Sequence, residues 1–170
     1  LGPNGAGKTT TFDMIVGLIS LDSGDVFLNN VKITSIPMYR RSKMGIGYLP
    51  QEVSVFRKLS VEDNILAVLE MTDLSKTEQN VKLESLLDEF GLQHIRKNRG
   101  DLLSGGERRR TEIARCLATD PKFILLDEPF AALDILTIKM LQEIIVNLQS
   151  VEKITVVVCD HQARDLLSCV

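Results

Sequence analysis

The sequence predicts an α/β fold built around a parallel β-sheet. Two continuous apolar stretches, KFILLD at residues 122–127 and ITVVVC at residues 154–159, have the composition of strands that are covered on both faces. Segments with apolar residues at helical spacing alternate with such strands along the chain. A glycine-rich loop at residues 2–9 leads directly into the first of these helical segments. This alternation is typical of sheets that carry helices on their faces.

The first third of the chain predicts a helix, a hairpin and a strand. Thr9–Leu18 has apolar residues at helical spacing. The stretch DVFLNNVKI predicts a small N-terminal β-hairpin that turns at Asn29 and Asn30. A short helix is expected around Pro37–Lys43, and Gly45–Leu49 has the composition of a buried strand.

The remainder is expected to form one domain of two parts. Residues 52–119 contain three predicted helices and no convincing strand. The first begins with a capping box at Ser60–Asp63, and the others are expected at about 76–90 and 106–118. We interpret this segment as a helical subdomain inserted into an α/β core made of residues 1–51 and 120–170. A helix is expected at Ile135–Leu148, and a last helix is expected to begin at Gln162.

Composition argues against several classes of protein. The net charge of −3 provides no broad cationic field, so nucleic acid is not expected as a partner. The longest apolar runs are too short to span a bilayer. The three cysteines are odd in number and lack the spacing of a metal site, which favours reduced thiols in a cytosolic setting.

The glycine-rich loop fits the pattern G-x-x-x-x-G-K-[ST] in full. Its glycines allow successive N–H groups to point into one concavity, and the following helix adds the positive end of its dipole. Lys8 could reach the β- and γ-phosphates of a nucleotide, and Thr9 could offer a hydroxyl to Mg²⁺. The predicted nucleotide-binding residues of this loop are Gly2, Pro3, Asn4, Gly5, Ala6, Gly7, Lys8, Thr9 and Thr10.

Two acids stand at the end of the predicted strand that begins at Phe123. The carboxyl end of a parallel strand is where ligands bind in an open α/β sheet. Asp127 is therefore a candidate to hold Mg²⁺, directly or through water. Glu128 is a candidate general base that would activate a water molecule.

A second candidate anion site lies in the stretch LSGGE, at Ser104, Gly105, Gly106 and Glu107. Ser104 can cap the following helix, and the glycines leave the backbone bare at its N-terminus. One triphosphate cannot occupy both anion sites if they lie far apart. We therefore expect two copies of the chain to face each other, each offering this stretch to the nucleotide held by the other.

The order of these motifs, together with Gln51 after GYLP and His161 after a strand, resembles the nucleotide-binding domain of ABC ATPases. The resemblance covers essentially the whole chain and implies a P-loop NTPase with a RecA-like sheet. It makes residues 2–9 the Walker A loop and Asp127 the Walker B aspartate. It implies that Glu128 is the catalytic glutamate, with Gln51 and His161 also in catalysis and Gln51 near the metal.

Further expectations come with this resemblance. In this family two domains enclose two ATP molecules, so ATP, Mg²⁺ and a second copy of the chain are implied. Integral-membrane transporter subunits are the other implied partners. The chain would then be cytoplasmic and peripheral on the inner membrane. Ala132-Leu133-Asp134 would form the D-loop, although Ile135 stands where a proline is more usual and the start of the next helix could differ.

A closer resemblance is to the ATPases of lipopolysaccharide exporters. The phrases YLPQEVSVFRKLSVEDN and SGGERRRTEIAR carry it. An ATPase of branched-chain amino acid importers and a soluble ABC ATPase without membrane partners are the alternatives. Phe56 and Leu59 could pack on the helical subdomain or line a groove for a partner helix, and the arginines at 108–110 are expected on a solvated face unless they serve the nucleotide or a domain contact.

The chain is expected to be incomplete at both ends, since the glycine-rich loop stands at its start and its C-terminus stops in the helix just after His161. The loop starts at the second residue, whereas in the family a strand precedes it. Loss of that strand would leave backbone groups unpaired near the core. We therefore expect residues 1–170, expressed alone, to aggregate and to bind ATP poorly.

Overall fold

The computed structural model describes residue 2 and residues 5–161. Its α-helices, in chain order, are α1 Lys8–Val16, α2 Met38–Lys43, α3 Val61–Leu69, α4 Lys76–Glu89, α5 Gly105–Leu117 and α6 Ile135–Ser150. Its strands are β1 Phe27–Leu28, β2 Val31–Lys32, β3 Ile46–Leu49, β4 Phe123–Asp127 and β5 Thr155–Cys159. The helix expected from Gln162 onward lies outside the described residues. Among the helices of the described part, none combines the length and the hydrophobicity needed to cross a membrane.

The central sheet has the strand order β3-β4-β5, and both pairs of neighbours are parallel. Leu49 is in register with Leu126, and Asp127 is in register with Cys159. The predicted parallel α/β fold is therefore confirmed. Because the three strands run in one direction, the loops that follow them leave the sheet at the same edge.

Both faces of the central strand β4 are covered. Ile124 and Leu126 belong to a large core that also contains side chains from α3 to α6. Leu125, between them, points to the opposite face and packs in a smaller core with Phe12 and Val16 of α1. A strand covered on both faces has no polar side to present to water, which explains the unbroken apolar run.

Strand β5 is more exposed than its apolar sequence predicts. Val157 has a relative exposure of 44%, and Thr155 is also exposed. In the described residues β5 pairs only with β4, so its other edge has no strand beside it. The expectation of a strand buried on both faces is therefore wrong for β5 in this part of the chain.

Helix α1 ends two residues earlier than predicted, because Gly17 terminates it. Gly17 has a φ of +85°, a left-handed conformation that costs glycine little. The N–H groups of Gly17 and Leu18 both donate to the carbonyl oxygen of Asp13, at 3.0 and 2.8 Å. The helix is thus capped before Leu18, the residue at which the apolar periodicity suggested its end.

The β1-β2 hairpin turns as predicted at Asn29 and Asn30. Their φ angles are +48° and +66°, so both central residues of the turn lie in the left-handed region. A two-residue hairpin loop with positive φ at both positions is a type I′ turn, whose twist matches the flanking strands. Asparagine tolerates this conformation better than most residues, which explains its use here.

A buried arginine, Arg41 of α2, joins the hairpin region to α1. Its relative exposure is 2%. The guanidinium donates to the carbonyl oxygens of Met14 and Ile15 at 2.8 and 2.6 Å, and to those of Thr34 and Ile36 at 2.8 and 2.7 Å. Two of these carbonyls belong to the last turn of α1, where a positive charge is favourable.

Replacing Arg41 with Leu is expected to lower the free energy of unfolding by about 2–4 kcal/mol, because four partly buried carbonyl groups lose their donor. The matched control is Arg40→Leu, since Arg40 is the exposed neighbour on the same helix. Denaturant unfolding of the intact protein measures both changes. Equal losses for the two variants would contradict the importance of the buried guanidinium.

Candidate functional site

The glycine-rich loop turns directly into α1. Gly5 and Gly7 both have a φ of +80°, a conformation that L side chains rarely adopt, so glycine is required at both points. Lys8 folds back, and its Nζ donates to the carbonyl oxygen of Gly2 at 2.8 Å. The loop therefore curls around its own lysine at the N-terminus of α1. Pro3 and Asn4 lie outside the described residues.

A hydrogen bond joins this loop to the end of β4. Thr9 Oγ1 donates to Asp127 Oδ2 at 2.6 Å. The other oxygen, Asp127 Oδ1, is buried and has no hydrogen-bond partner among the described residues. Burial raises the pKa of the Asp127 carboxyl, an effect that the Thr9 hydrogen bond opposes and the nearby charge of Glu128 reinforces.

The side chains of Thr9 and Asp127 are suitable ligands for a Mg²⁺ ion. Mg²⁺ prefers oxygen ligands and is commonly held by one or two protein oxygens together with phosphate oxygens and waters. Thr9 offers a hydroxyl and Asp127 a carboxylate oxygen that lacks a protein donor. A buried carboxylate oxygen without a hydrogen-bond partner lowers stability, and a cation beside Asp127 Oδ1 would remove that cost.

Three predicted catalytic residues meet at the same edge of the sheet. Gln51 Nε2 donates to Glu128 Oε2 at 2.9 Å. His161 Nδ1 lies 3.4 Å from Glu128 Oε1. They follow β3, β4 and β5 respectively, so parallel pairing of the strands places all three side chains together.

The backbone at Glu128 is held in an unusual conformation. Its φ is +44°, in the left-handed region, although glutamate is not a residue that favours it. The N–H of Glu128 donates to the carbonyl oxygen of Cys159 at 2.7 Å, which extends the β4-β5 ladder by one bond. Strained backbone of this kind clusters at functional sites.

The loop, Gln51 and Glu128 line one open cleft of about 340 Å³. Its described lining residues are Gly5, Gly7, Lys8, Thr9, Thr10, Gln51 and Glu128. It lies at the carboxyl ends of parallel strands, the usual position of ligands in open α/β sheets. The structure therefore brings the loop residues Gly5, Gly7 and 8–10 together with Gln51 and Glu128. Asp127 and His161 contact Thr9 and Glu128 of this group.

The second predicted anion site is not part of this cleft. Ser104 and Glu107 form a capping box at the start of α5, as the sequence suggested for Ser104. Gly106 lies against α6, where an added Cβ would come within 2.8 Å of Thr137 Oγ1. Gly105 has more room, since an added Cβ there would lie 3.6 Å from Leu133 Cδ2, an ordinary contact distance. Residues 104–107 therefore lie beside the segment 132–137, away from the residues that line the cleft.

Helix α6 starts at Ile135 without a proline. Asp134 caps it, since its Oδ1 accepts from the N–H groups of Leu136 and Thr137, both at 3.0 Å. The other carboxylate oxygen, Asp134 Oδ2, accepts a hydrogen bond from Thr137 Oγ1 at 2.6 Å. A strong N-cap satisfies the free N–H groups of the first turn, so replacement of the usual proline leaves the helix start at Ile135.

The expectation that residues 108–110 form a solvated face is wrong for Arg109. Arg109 is buried, with a relative exposure of 7%. Its guanidinium donates to the carbonyl oxygens of Pro50 at 2.9 Å, Asp127 at 3.0 Å and Pro129 at 3.3 Å. The side chain thus lies underneath the cleft, in contact with the backbone on both sides of it.

A sequence signal for this contact exists but is weak. Arg109 and Glu112 stand three residues apart on α5, where an arginine and a glutamate can pair on one helix face. Helical spacing places both side chains on the same face of α5 as Ile113 and Leu117. The sequence shows that this face is buried only if the orientation of α5 is known. Arg108 and Arg110, their neighbours, bind the carbonyl oxygens of Leu103 and Phe90 instead.

The apolar pair after Gln51 is exposed. Phe56 and Leu59 have relative exposures of 48% and 38%. The guanidinium carbon of Arg115 lies 4.7 Å from the centroid of the Phe56 ring, a distance at which a cation–π contact forms. In the described residues the pair is therefore not buried against the helices of the 61–117 segment.

Replacing Asp127 with Asn is expected to stabilise the protein at neutral pH without divalent cations, by about 1–3 kcal/mol. Because burial raises the pKa of Asp127, the folded protein is more stable when this carboxyl is protonated. That contribution to the free energy of unfolding is lost as the pH rises through the folded-state pKa. The advantage of Asn should therefore shrink as the pH falls. Denaturant unfolding with a chelator at several pH values measures it.

Millimolar Mg²⁺ supplies the control for this prediction, because it should stabilise the wild-type protein and leave Asp127→Asn unchanged. An Asn variant that is less stable than wild type in chelator at neutral pH would contradict the account of the buried carboxylate.

Comparison with known proteins identifies the family. Residues 1–131 match the sequence model of the family described as ABC transporter. The chain is 52% identical over 170 residues to an ABC transporter ATP-binding protein, R00382, of Rhizobium meliloti (strain 1021). It is 53% identical over 167 residues to the lipopolysaccharide export system ATP-binding protein LptB of Acidithiobacillus ferridurans. These alignments cover 100% and 98% of this chain, and 63% and 69% of the two relatives.

A solved structure gives the same result at the level of the fold. The dimeric ATP-binding cassette MJ0796, bound to ADP and Pi in a post-hydrolysis state, superposes with a TM-score of 0.86 at 28% sequence identity. The superposition covers 96% of this chain and 74% of the cassette. The family match, the identities near one half and the shared fold agree with one another. The chain belongs to the ABC transporter family, and its fold is that of the ATP-binding cassette.

Proposed function

We propose that this chain binds MgATP and hydrolyses it to drive a membrane transporter. The observation that carries the proposal is the cleft itself. The glycine-rich loop, Gln51 and Glu128 line it, and Asp127 and His161 contact two of its lining residues, Thr9 and Glu128. A phosphate cradle, a metal-binding carboxylate and a general base are the parts that phosphoryl transfer to water requires.

The loop would hold the phosphates. Gly2 and residues 5–10 supply backbone N–H groups at a helix N-terminus, with Pro3 and Asn4 completing the motif. Lys8, now on the carbonyl of Gly2, would turn to the β- and γ-phosphates. Thr9, Asp127 and Gln51 would hold Mg²⁺, which supplies charge neutralisation between the phosphates.

Glu128 would act on the attacking water. It would orient the water and accept its proton as general base. Gln51 and His161 already contact the two oxygens of this carboxylate, so they can fix its direction and respond to the γ-phosphate. The three side chains would thus combine hydrolysis with detection of the bound nucleotide.

A second copy of the chain would complete the site. Residues 104–107 lie outside the cleft of their own chain and form the capped N-terminus of α5 beside the segment 132–137, where Ser104 and Gly105 are exposed. In a dimer they could approach the γ-phosphate held by the other copy. The dimeric form of the relative MJ0796 bound to ADP and Pi supports this arrangement.

Lipopolysaccharide export to the outer membrane is the transport process that the relatives favour. The support is the 53% identity to a lipopolysaccharide export ATP-binding protein over nearly the whole chain. Exposed Phe56 and Leu59 after Gln51 would then line a groove for an integral-membrane partner. The chain would work at the cytoplasmic face of the inner membrane, without nucleic acid as a partner.

An amino acid importer ATPase is the second candidate for the transport process. The 52% identity to R00382, whose name gives no cargo, is nearly as high as the identity to the exporter subunit. We expect co-purification from detergent-solubilised membranes to recover integral-membrane subunits that carry lipopolysaccharide. Recovery of amino-acid permease subunits would overturn the export proposal, and recovery of no membrane protein would favour a soluble ABC ATPase.

Glu128→Gln is expected to leave ATP binding intact and to lower the turnover of the intact protein by at least about 10²-fold, because the amide cannot accept the proton. Steady-state phosphate release and ATP titration measure the two properties. The matched control is Glu152→Gln, which makes the same change at an exposed residue outside the cleft. Normal hydrolysis by Glu128→Gln would exclude this role for the glutamate.

A further inference from the structure

Arg109 links the helix after the SGGE turn to both sides of the nucleotide cleft. It lies on α5, five residues after the capping residue Ser104. Its Nη1 donates to the carbonyl of Pro50, the residue before Gln51. Its Nη2 donates to the carbonyl of Asp127 at 3.0 Å and lies 3.4 Å from that of Glu128. One planar guanidinium thus joins two loops that are separated by more than seventy residues of sequence.

Glu112 extends this contact to the other side of Gln51. Its Oε2 is 3.4 Å from Nη1 of Arg109. Its Oε1 accepts from the N–H of Ser54 at 2.7 Å and from that of Val55 at 3.0 Å. The segment that carries Gln51 is therefore fixed before it by Arg109 and after it by Glu112.

Both side chains of this pair are buried, with relative exposures of 7% for Arg109 and 3% for Glu112. A buried ion pair adds little net stability compared with apolar side chains of similar volume, because desolvation of the charges offsets their attraction. The fork of Arg109 instead fixes directions, since its donors point to carbonyls at set angles. What the pair supplies beyond stability is the relative position of two backbone segments.

The two segments carry the groups that meet over the cleft. Gln51 Nε2 donates to Glu128 Oε2 at 2.9 Å, a contact that depends on the separation of their backbones. Glu128 has a φ of +44°, so its backbone needs support from its surroundings to stay in place. Arg109 provides that support from below, through the carbonyls at residues 127–129.

We infer that Arg109 and Glu112 are positioning residues for ATP hydrolysis. They set the distance between Gln51 and Glu128, and they connect both to the helix that begins at residues 104–107. Neither side chain lines the cleft, so neither touches the nucleotide. This inference rests on the proposed hydrolysis of ATP by Glu128.

The inference predicts a specific kinetic result. If Glu128 moves by up to about one ångström, the rate of the chemical step should fall by about 10- to 100-fold. The phosphate loop keeps its own contacts, so KM for ATP should stay within about threefold. A loss in kcat with little change in KM separates positioning of the base from damage to the nucleotide cradle.

The test compares Arg109→Lys, Glu112→Gln and the double variant with Arg110→Lys as the matched control. Lysine keeps the charge but cannot reach several carbonyls at once, and Gln keeps the shape of Glu112 without its charge. Arg110 is the next residue on α5 and contacts the carbonyl of Phe90, away from the cleft. Measurements are kcat and KM in the intact protein, with the thermal midpoint of each variant.

The expected result is a 10- to 100-fold lower kcat for Arg109→Lys and for Glu112→Gln, no further fall in the double variant, and a normal kcat for Arg110→Lys. An unchanged kcat per folded molecule, even with a lower thermal midpoint, would reduce the pair to a structural role and overturn the inference. If Arg109→Lys does not fold, Glu112→Gln alone decides. Absence of hydrolysis by the wild-type protein would instead refute the proposed function.

Discussion

The hydrogen bond between Thr9 and Asp127 is the contact on which the site depends. It joins the first turn of α1 to the last residue of β4, at 2.6 Å, across 118 residues of sequence. Packing of Phe12 and Val16 on Leu125 holds α1 against β4, and this hydrogen bond aligns the phosphate loop with the acidic end of the strand. The first turn of α1 is thereby joined to Asp127, and the positive end of this helix and the Glu128 carboxylate line one cleft.

Parallel pairing explains why the remaining groups reach the same place. Gln51, Glu128 and His161 are each found within two residues of the end of a strand, and the three strands are neighbours in the order β3-β4-β5. Residues at equivalent positions after these three strands therefore lie close together at one edge of the sheet. This arrangement lowers stability at two points, through the positive φ of Glu128 and through the burial of the Asp127 carboxylate.

Two buried arginines hold the elements that carry the site. Arg41 fastens the C-terminal turn of α1, and Arg109 fastens the backbone beneath the cleft. Both bind mainly carbonyl oxygens, which lie at loop and helix ends where backbone acceptors lack partners. A guanidinium can satisfy several of them at once, so one side chain can order segments that are far apart in sequence.

Local patterns were sufficient to predict the parallel α/β fold, the glycine-rich loop and the acidic end of β4. Gln51 and His161 were predicted only from the order of the motifs, through the resemblance to a family. A complete phosphate-loop motif, an acidic strand end and continuous apolar runs each have a local physical cause. The sequence did not reveal the burial of Arg109, since an arginine in a run of three looks solvated until the orientation of α5 is known. It also did not reveal that Val157 of β5 is exposed in the described part of the chain, which depends on what covers that face of the strand.

The most direct test of the account is pulsed EPR of the intact protein with Mn²⁺ in place of Mg²⁺ and ATP present. The central claim is that Thr9 and Asp127 hold the metal where the loop holds the phosphates. It predicts ³¹P hyperfine couplings to two phosphorus atoms in the wild-type protein and their loss in Thr9→Val. Protein-bound Mn²⁺ without phosphorus couplings, or couplings unaffected by Thr9→Val, would contradict it.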